Sequence, residues 1–529
     1  MKRINIIIGI VASIMMLTSC ADRLDLKPED YYGADNFWNN KGQVEGFMNG
    51  VHKDMRDTYS TLYRLGEERG GTMRTGTAST GASSLDDDAI KNNLITKDNT
   101  GIGNWGNFYG RILQINQFIE KVQNECKFLS DGDRNHYLGQ AYGIRAFYYF
   151  WLYRTYGGVV IETEPKVAKH VDDAVLLYKE RSDAESTLNF IKEDINKSDK
   201  YFEADATANA KILWSKDATK MLKAEIYLWS AKVATGNHQP GRSKDFSVAE
   251  TALNGVIGKY SLETKFEDIF SSKNKNGKEV IFNIYFDKEE ISNWGELFVY
   301  APRDLVNNAY DLDGKLYETD PLDLSGSGLL RHEYKEALVK SFDKEDTRRS
   351  GTFLEYMMKP DKNGVQAYGA VIKKLLGQMG NDNKRYFDSN IIIYRYADAL
   401  LMMAEVQNGL GKSCAEYINQ VRKRAYGDKF AGKEYKDGDF ATNELTILHE
   451  RDKEFVAENK RWFDVNRLQD ATKKPLVFSA KANYAVNFSP SAEVFPILET
   501  KEAYKTLWPL DKGVLNSDPK VLQTPGYDK

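Results

Sequence analysis

Three glutamates, Glu450, Glu454 and Glu458, recur at four-residue spacing in an arginine-rich stretch. On a helix they share one face with side chains about 6 Å apart, near the carboxyl separation of a retaining glycosidase. Those enzymes set their two acids on opposite sides of a sugar ring, and one helix face cannot straddle a substrate. Like charges this close need neutralising when buried. The spacing therefore predicts an ion network, with Arg395, Arg422, Arg424, Arg451 and Arg461 as partners. A second acid run, Asp86-Asp87-Asp88, has oxygen ligands for a cation but lacks the spaced pattern of a calcium loop, and reads as a solvated loop. The six histidines, His52, His136, His170, His238, His332 and His449, form no two-histidine zinc motif. The sequence holds no nucleophile elbow, no phosphate-binding glycine loop and no dinucleotide fingerprint. No catalytic residue, metal site or cofactor is expected.

Binding chemistry is better supplied. Sugars present flat C–H faces and hydroxyl edges. Aromatic rings stack on the faces, while arginine, asparagine and aspartate bond the edges. Such rings must be exposed, hence on loops. Two stretches qualify. The first is the glycine-rich run from Gly70 to Gly81, with Met73 and Arg74, continuing to Asp87 and Asn104; long loops in compact domains are commonly functional. The second holds Asn293, Trp294, Phe298 and Tyr300. Trp105, at a predicted helix start, reads as structural. Aromatics make up 12% of the chain, with 31 tyrosines, which suits sugar or peptide binding. A net charge of −4 gives no reason to expect nucleic acid.

The elements that hold these stretches are mostly helices. Phe37, Val44, Phe47, Val51 and Met55 recur at helical spacing. Helices are also expected at 105–121, 137–156, 183–202 and 218–234. Short strands are expected at 159–161 and 280–286, and a turn at Asp311-Leu312-Asp313-Gly314. Helix pairs of roughly 34 to 40 residues, with small residues such as Ala224 and Ala231 at the contacts, read as tetratricopeptide-like units separated by long insertions.

The densest pattern runs from Ile391 to Leu468. Asp388 and Ser389 are read as caps of a first helix that Gly409 and Gly411 end. Ser413-Cys414-Ala415-Glu416 reads as a capping box for a second. Asn443 is expected to cap a third, whose Leu448, Phe455 and Trp462 share a stripe. Within this stretch stand Tyr394-Arg395-Tyr396-Ala397-Asp398, Asn419-Gln420-Val421-Arg422-Lys423-Arg424, Glu450-Arg451-Asp452-Lys453-Glu454-Phe455 and Arg461-Trp462-Phe463-Asp464. In that order they resemble the signature of the SusD/RagB family of outer-membrane nutrient-binding lipoproteins. Ile144-Arg145-Ala146-Phe147 resembles the family's arginine-alanine-aromatic helix. Asp346-Thr347-Arg348-Arg349 resembles a further motif, expected as an ion-paired turn. The ending Gln523-Thr524-Pro525-Gly526-Tyr527 resembles the family's close, with Thr524 where asparagine is usual and Leu498 where a second proline is usual.

The start of the chain is read as a signal. Lys2 and Arg3 precede an apolar run from Ile4 to Leu17, too short for a comfortable span. Leu17-Thr18-Ser19-Cys20 matches a lipoprotein box, which places lipid on Cys20 as a membrane anchor. Asp22, Asp25, Glu29 and Asp30 resemble a surface-export signal. Cys126 and Cys414 are expected as buried spacers.

The expected fold is mainly α: a tetratricopeptide-like helical-hairpin superhelix with an irregular ligand-binding half containing loops and a few short strands. A signal peptide at 1–19 precedes one domain, 20–529, with helical pairs and ligand loops over about 20–340 and the signature over about 341–529. The resemblance implies ligand contacts from the two stretches named above. It implies a lipid-anchored, surface-exposed protein that binds oligosaccharide and passes it to a SusC-like TonB-dependent transporter as its lid. Peptide capture, a tetratricopeptide-type protein-binding scaffold and glycoside hydrolysis are the alternatives.

Overall fold

The structure is a computed structural model that describes residues 37–76, 89–165, 173–203, 211–293, 305–324 and 332–528. Cys20 and the acidic stretch after it lie outside those residues, as do Asp86, Asp87, Asp88, Trp294, Phe298 and Tyr300.

Helices dominate, in successive packed pairs. α1 (Lys41–Gly66) carries the predicted apolar stripe and starts on Asn40, whose side chain accepts from Gln43 N. After a short strand β1 (Met73–Thr75), α2 (Gly106–Asn124) packs on α1. α3 (Asp131–Tyr156) is the centre of the molecule: every residue from Tyr137 to Tyr156 is buried, as expected of a helix enclosed all round. Arg145 locks its neighbours. Its Nε and Nη2 donate to Asp194 at 2.7 and 2.8 Å on α4 (Ala184–Tyr201), and its Nη1 donates to Asn116 on α2 at 2.9 Å. Close approach on α3 needs missing side chains: a Cβ on Gly143 would lie 2.0 Å from Trp214 Nε1. α5 (Lys216–Lys232) and α6 (Arg242–Asn254) form the next pair, with Ala224, Leu228 and Ala231 fully enclosed. No strand forms at 159–161. Val159 N–H donates to Thr187 Oγ1 and its carbonyl accepts from Ser182 N–H, so no ladder is left to build.

The irregular half holds small antiparallel sheets. β2 (Val280–Ile284) pairs across the chain with a later strand. β3 (Ala309–Tyr310), β4 (His332–Tyr334), the short helices α7 (Glu336–Lys340) and α8 (Thr347–Thr352), β5 (Phe353–Met358) and β6 (Tyr368–Ile372) follow. β3, β5 and β6 form a three-stranded sheet, and β1 pairs with β4. After the ribbon β7 (Gln378–Met379) and β8 (Arg385–Tyr386) comes β9 (Ile391–Arg395), the partner of β2, with Ile284 opposite Ile391 and Val280 opposite Arg395.

That strand corrects the expectation for Asp388 and Ser389. Three consecutive isoleucines favour extended backbone, so α9 (Tyr396–Gly409) starts only at Tyr396. α10 (Ala415–Tyr426) is not opened by a local capping box. The carboxylate of Asp437 accepts from Cys414 N, Ala415 N and Ser413 Oγ, so the cap comes from a distant loop. α11 (Phe440–Glu454) is capped by Asp439; Asn443 lies inside it, bonded to Asn408 and Tyr435. The expected Leu448–Phe455–Trp462 stripe is broken. α11 ends at Glu454, Ala457 and Asn459 take φ of 62° and 63°, and α12 (Arg461–Arg467) begins anew. Cys126 and Cys414 are buried and free. Among the described residues no helix is long and apolar enough to cross a membrane.

The break in the third helix delivers Glu458 to Arg395. The Arg395 guanidinium is fully buried and donates to Glu279 and Glu454 (2.8 and 2.6 Å) and to both oxygens of Glu458 (2.8 and 2.9 Å). Arg424 and Arg348 also reach Glu454, and Arg348 and Arg422 hold Glu450 at 2.7 and 2.8 Å. Burial alone would raise the Glu454 carboxyl, but Arg424, Arg395 and Arg348 outweigh it and hold it well below the usual range. Arg451 bridges Asp398 and Asp464, and Arg461 pairs with Asp452. The three glutamates therefore sit in a structural ion network, as expected, but not on one helix face: Glu458 lies beyond the end of α11, and Arg451 and Arg461 pair with aspartates instead of with the glutamates. The Asp346-Thr347-Arg348-Arg349 turn belongs to that network, with Asp346 capping α8 and pairing with Arg348 at 2.6 Å.

Candidate ligand-binding surface

The glycine-rich stretch begins on the β1–β4 sheet. Met73 lies opposite Tyr334, Arg74 opposite Glu333 and Thr75 opposite His332. Glu333 is buried and fully engaged: Oε1 accepts from Ala370 N (2.7 Å) and Tyr356 OH (3.0 Å), and Oε2 accepts from Arg74 Nε at 3.3 Å. Arg74 also donates to the Tyr368 carbonyl and, through Nη1, to Asn487 Oδ1 at 3.2 Å. One guanidinium thus ties β1, β4, β6 and the closing segment of the chain together. Two further bonds fix that segment: Glu336 N donates to Val486 O, and Phe488 N donates to Glu336 Oε2, each at 3.0 Å.

The result is an apolar outcrop on a rigid base. Val486 is 50% exposed, Phe488 56% and Phe495 59%, large values for such side chains in a chain with an extensive core. Polar groups border it. Lys335 donates from Nζ to Asn483 Oδ1 at 3.0 Å, and Asn483 Nδ2 donates to Phe495 O. Burial, with Arg461 adding to it, lowers the Lys335 ammonium to about 8. Lys340 lies over the Tyr368 ring, 4.4 Å from its centroid. Exposed rings beside fixed hydrogen-bonding groups can take a ligand with a flat apolar face and a hydroxylated edge.

Of the residues expected from sequence, Arg74 stands at the root of this surface, with its side chain turned into the fold. Met73 is 3% exposed and packs in the core. Asn293 is 2% exposed, and its amide donates to the carbonyls of Ser389 and Leu375 while its N–H donates to Phe387 O. It anchors the base of its loop rather than facing solvent. Asn104 is exposed but accepts from Gly106 N at 2.8 Å, at the start of α2. Trp105 is buried edge-on to Tyr109 and Tyr156. The structure does not bring Asn104 or Asn293 into contact with Arg74. Val486, Asn487 and Phe488 escape sequence reasoning, because the stretch around them has neither periodicity nor a motif. A hydrophobic–asparagine–phenylalanine run ahead of Ser489-Pro490 was their only signal.

Comparison with known proteins decides the family. A family model described as "SusD family" matches residues 263–527, and one described as "Starch-binding associating with outer membrane" matches 24–228. The chain belongs to the SusD family. SusD-like protein P38 of Formosa agariphila is 27% identical over 498 residues, covering 89% of this chain and 92% of its own. A SusD superfamily protein from Bacteroides fragilis is 34% identical with a TM-score of 0.81, covering 93% of this chain and all of the other. Bacteroides fragilis NanU is 30% identical with a TM-score of 0.79, covering 95% of this chain and all of its own. In the SusD-family frame the paired helices α1–α6, α9 and α10 are the tetratricopeptide-like scaffold, and the Arg74–Phe488 surface lies in the irregular half packed on it.

Proposed function

We propose that this protein is a lipid-anchored surface protein that binds oligosaccharide and hands it to a SusC-like TonB-dependent transporter, acting as its lid and performing no chemistry. The observation that carries the reading is the exposed Val486–Phe488 run, pinned by Arg74 beside the start of the glycine-rich stretch. Exposed rings on fixed backbone lose little freedom when a sugar stacks on them. The family description naming starch binding and the outer membrane supports the same ligand class and location. The carboxylates whose spacing resembles an acid–base pair support the non-catalytic reading: Glu450, Glu454 and Glu458 are each held by two or more cations in the interior. Trp294, Phe298, Tyr300 and Asp87, outside the described residues, stay proposed ligand contacts on the sequence alone, and lipid on Cys20 would hold the protein at the membrane.

Calorimetry against host and plant oligosaccharides, with wild type, Phe488→Ala and Trp294→Ala, tests the reading. Saccharide binding weakened in either variant supports it. Binding of peptides and of no glycan replaces it with peptide capture, and release of new reducing ends from a bound polymer overturns the non-catalytic reading. Mass spectrometry of the mature N-terminus tests the anchor.

A further inference from the structure

On the scaffold, away from Arg74 and Phe488, a cavity of about 430 Å³ opens between the C-terminal end of α5, the start of α6, α12 and the segment around Thr506. This is within the range of small-molecule sites. Its lining carries four cations, Arg154, Lys232, Arg242 and Lys473, and no carboxylate. The two inner cations are balanced from behind: Arg154 pairs with Glu225 at 2.6 Å, and Lys232 with Glu405 and Glu444 at 2.7 and 2.5 Å. The two at the mouth are not. Both are exposed; Arg242 reaches only the Gln469 amide at 3.5 Å, Lys473 only the Phe440 ring, and neither forms an ion pair among the described residues. Partial burial, with Lys232 and Arg242 adding to it, outweighs the pull of the Glu444 carboxylate and lowers the Lys473 pKa. An arriving anion would relieve that repulsion.

Unpaired polar atoms also lie buried within the lining residues. Trp229 Nε1, Arg154 Nε and Asn466 Oδ1 are buried and bonded to nothing among the described residues. Buried polar atoms are nearly always paired, so three orphans on residues lining one cavity call for an explanation. Nearer the mouth, the exposed amide of Gln239 makes no hydrogen bond among the described residues, and Thr506 Oγ1, which donates to Ala503 O, keeps its acceptor capacity. Two cations at the mouth without an ion pair, with an amide and a hydroxyl beside them, suit a ligand with one negative charge and several hydroxyls.

We propose that this cavity is a second binding site, selective for a small acidic saccharide of one or two rings whose carboxylate or sulfate is held between Arg242 and Lys473. The site is independent of the surface around Phe488 and does not rest on the function proposed for it.

The test is calorimetry with glucuronate, glucose 6-sulfate and neutral glucose on the full chain. The proteins are wild type, Arg242→Gln/Lys473→Gln, Phe488→Ala, and Lys512→Gln as a remote charge control. Both mouth side chains are exposed, so the double variant keeps its fold, which circular dichroism checks. At least one acidic sugar should bind wild type and Phe488→Ala alike, glucose should not, and the double variant should weaken binding about tenfold or more. Affinity should fall as salt rises, since the cations lie near solvent. The carboxylate and sulfate arms show which anion is preferred. No binding of either acid at millimolar concentration, equal binding of glucose, or unchanged binding in the double variant overturns the proposal. Loss in Phe488→Ala alone would assign the acid to the other surface and equally overturn it.

Discussion

Arg395 and Arg74 make similar bonds for opposite purposes. Arg395 gathers carboxylates from three segments, Glu279, Glu454 and Glu458, and is wholly enclosed. Arg74 holds one carboxylate, Glu333, and spends its remaining bonds on a carbonyl and an amide that lead outward to Phe488. The first closes a scaffold; the second presents a surface. The motifs that reveal the family therefore mark the scaffold, while the surface proposed to meet a ligand is built from residues with no motif.

The comparison can be broken most forcefully at Arg395. Arg395→Met leaves three buried carboxylates short of a cation and should cost about 3–5 kcal/mol, read as a lower urea midpoint or a failure to fold. A loss under about 1 kcal/mol would show that Arg424, Arg348 and Lys374 suffice without it. Next comes the acid limb. Burial alone would raise the Asp398 carboxyl, but Lys460 and Arg451 outweigh it and hold it at about 2, below the unfolded value of 3.8. The folded state therefore prefers the ionised form. The stabilisation, about 2 kcal/mol, is complete above pH 3.8 and disappears as pH falls through about 2. The gap between wild type and Asp398→Asn in denaturation midpoint should close over that window.

Smaller effects belong to the surface. Arg74→Met should cost about 2 kcal/mol, less than Arg395→Met, because Glu333 keeps its bonds from Ala370 and Tyr356. It should also free the 486–488 segment to proteolysis. Phe488→Ala should move stability by no more than about 0.5 kcal/mol while lowering saccharide affinity about tenfold. If instead it unfolds the protein and leaves binding intact, the division between scaffold and surface is wrong.

Much of the scaffold was legible because its signals are local. The stripe on α1, the helix from Tyr137 to Tyr156 and the ion pairing of Glu450 and Glu454 each follow from residue type and spacing. The misreadings are tertiary. Asp388 and Ser389 look like caps only until Ile391–Arg395 finds its strand partner at Val280–Ile284. Ser413 looks like a cap, but Asp437 supplies it from another loop. Nothing local announces the left-handed turn at Ala457, where a β-carbon makes that conformation uncommon. The proposed surface was less legible: Arg74 was expected as a ligand contact but turns its side chain into the fold, and Phe488, whose neighbours Glu336 and Arg74 hold in place, carries no motif.

The pairing of Val280–Ile284 with Ile391–Arg395 also bears on the order of assembly. A chain emerging from its N-terminus can close the early helix pairs at once, since their contacts are nearby. The first of these two strands must then wait, apolar and open along its edge, until a segment far downstream appears. Even then Arg395 has only Glu279 to balance it until Glu454 and Glu458 follow. Cuts or stalls between those points should yield sticky, protease-sensitive fragments rather than a smaller working protein.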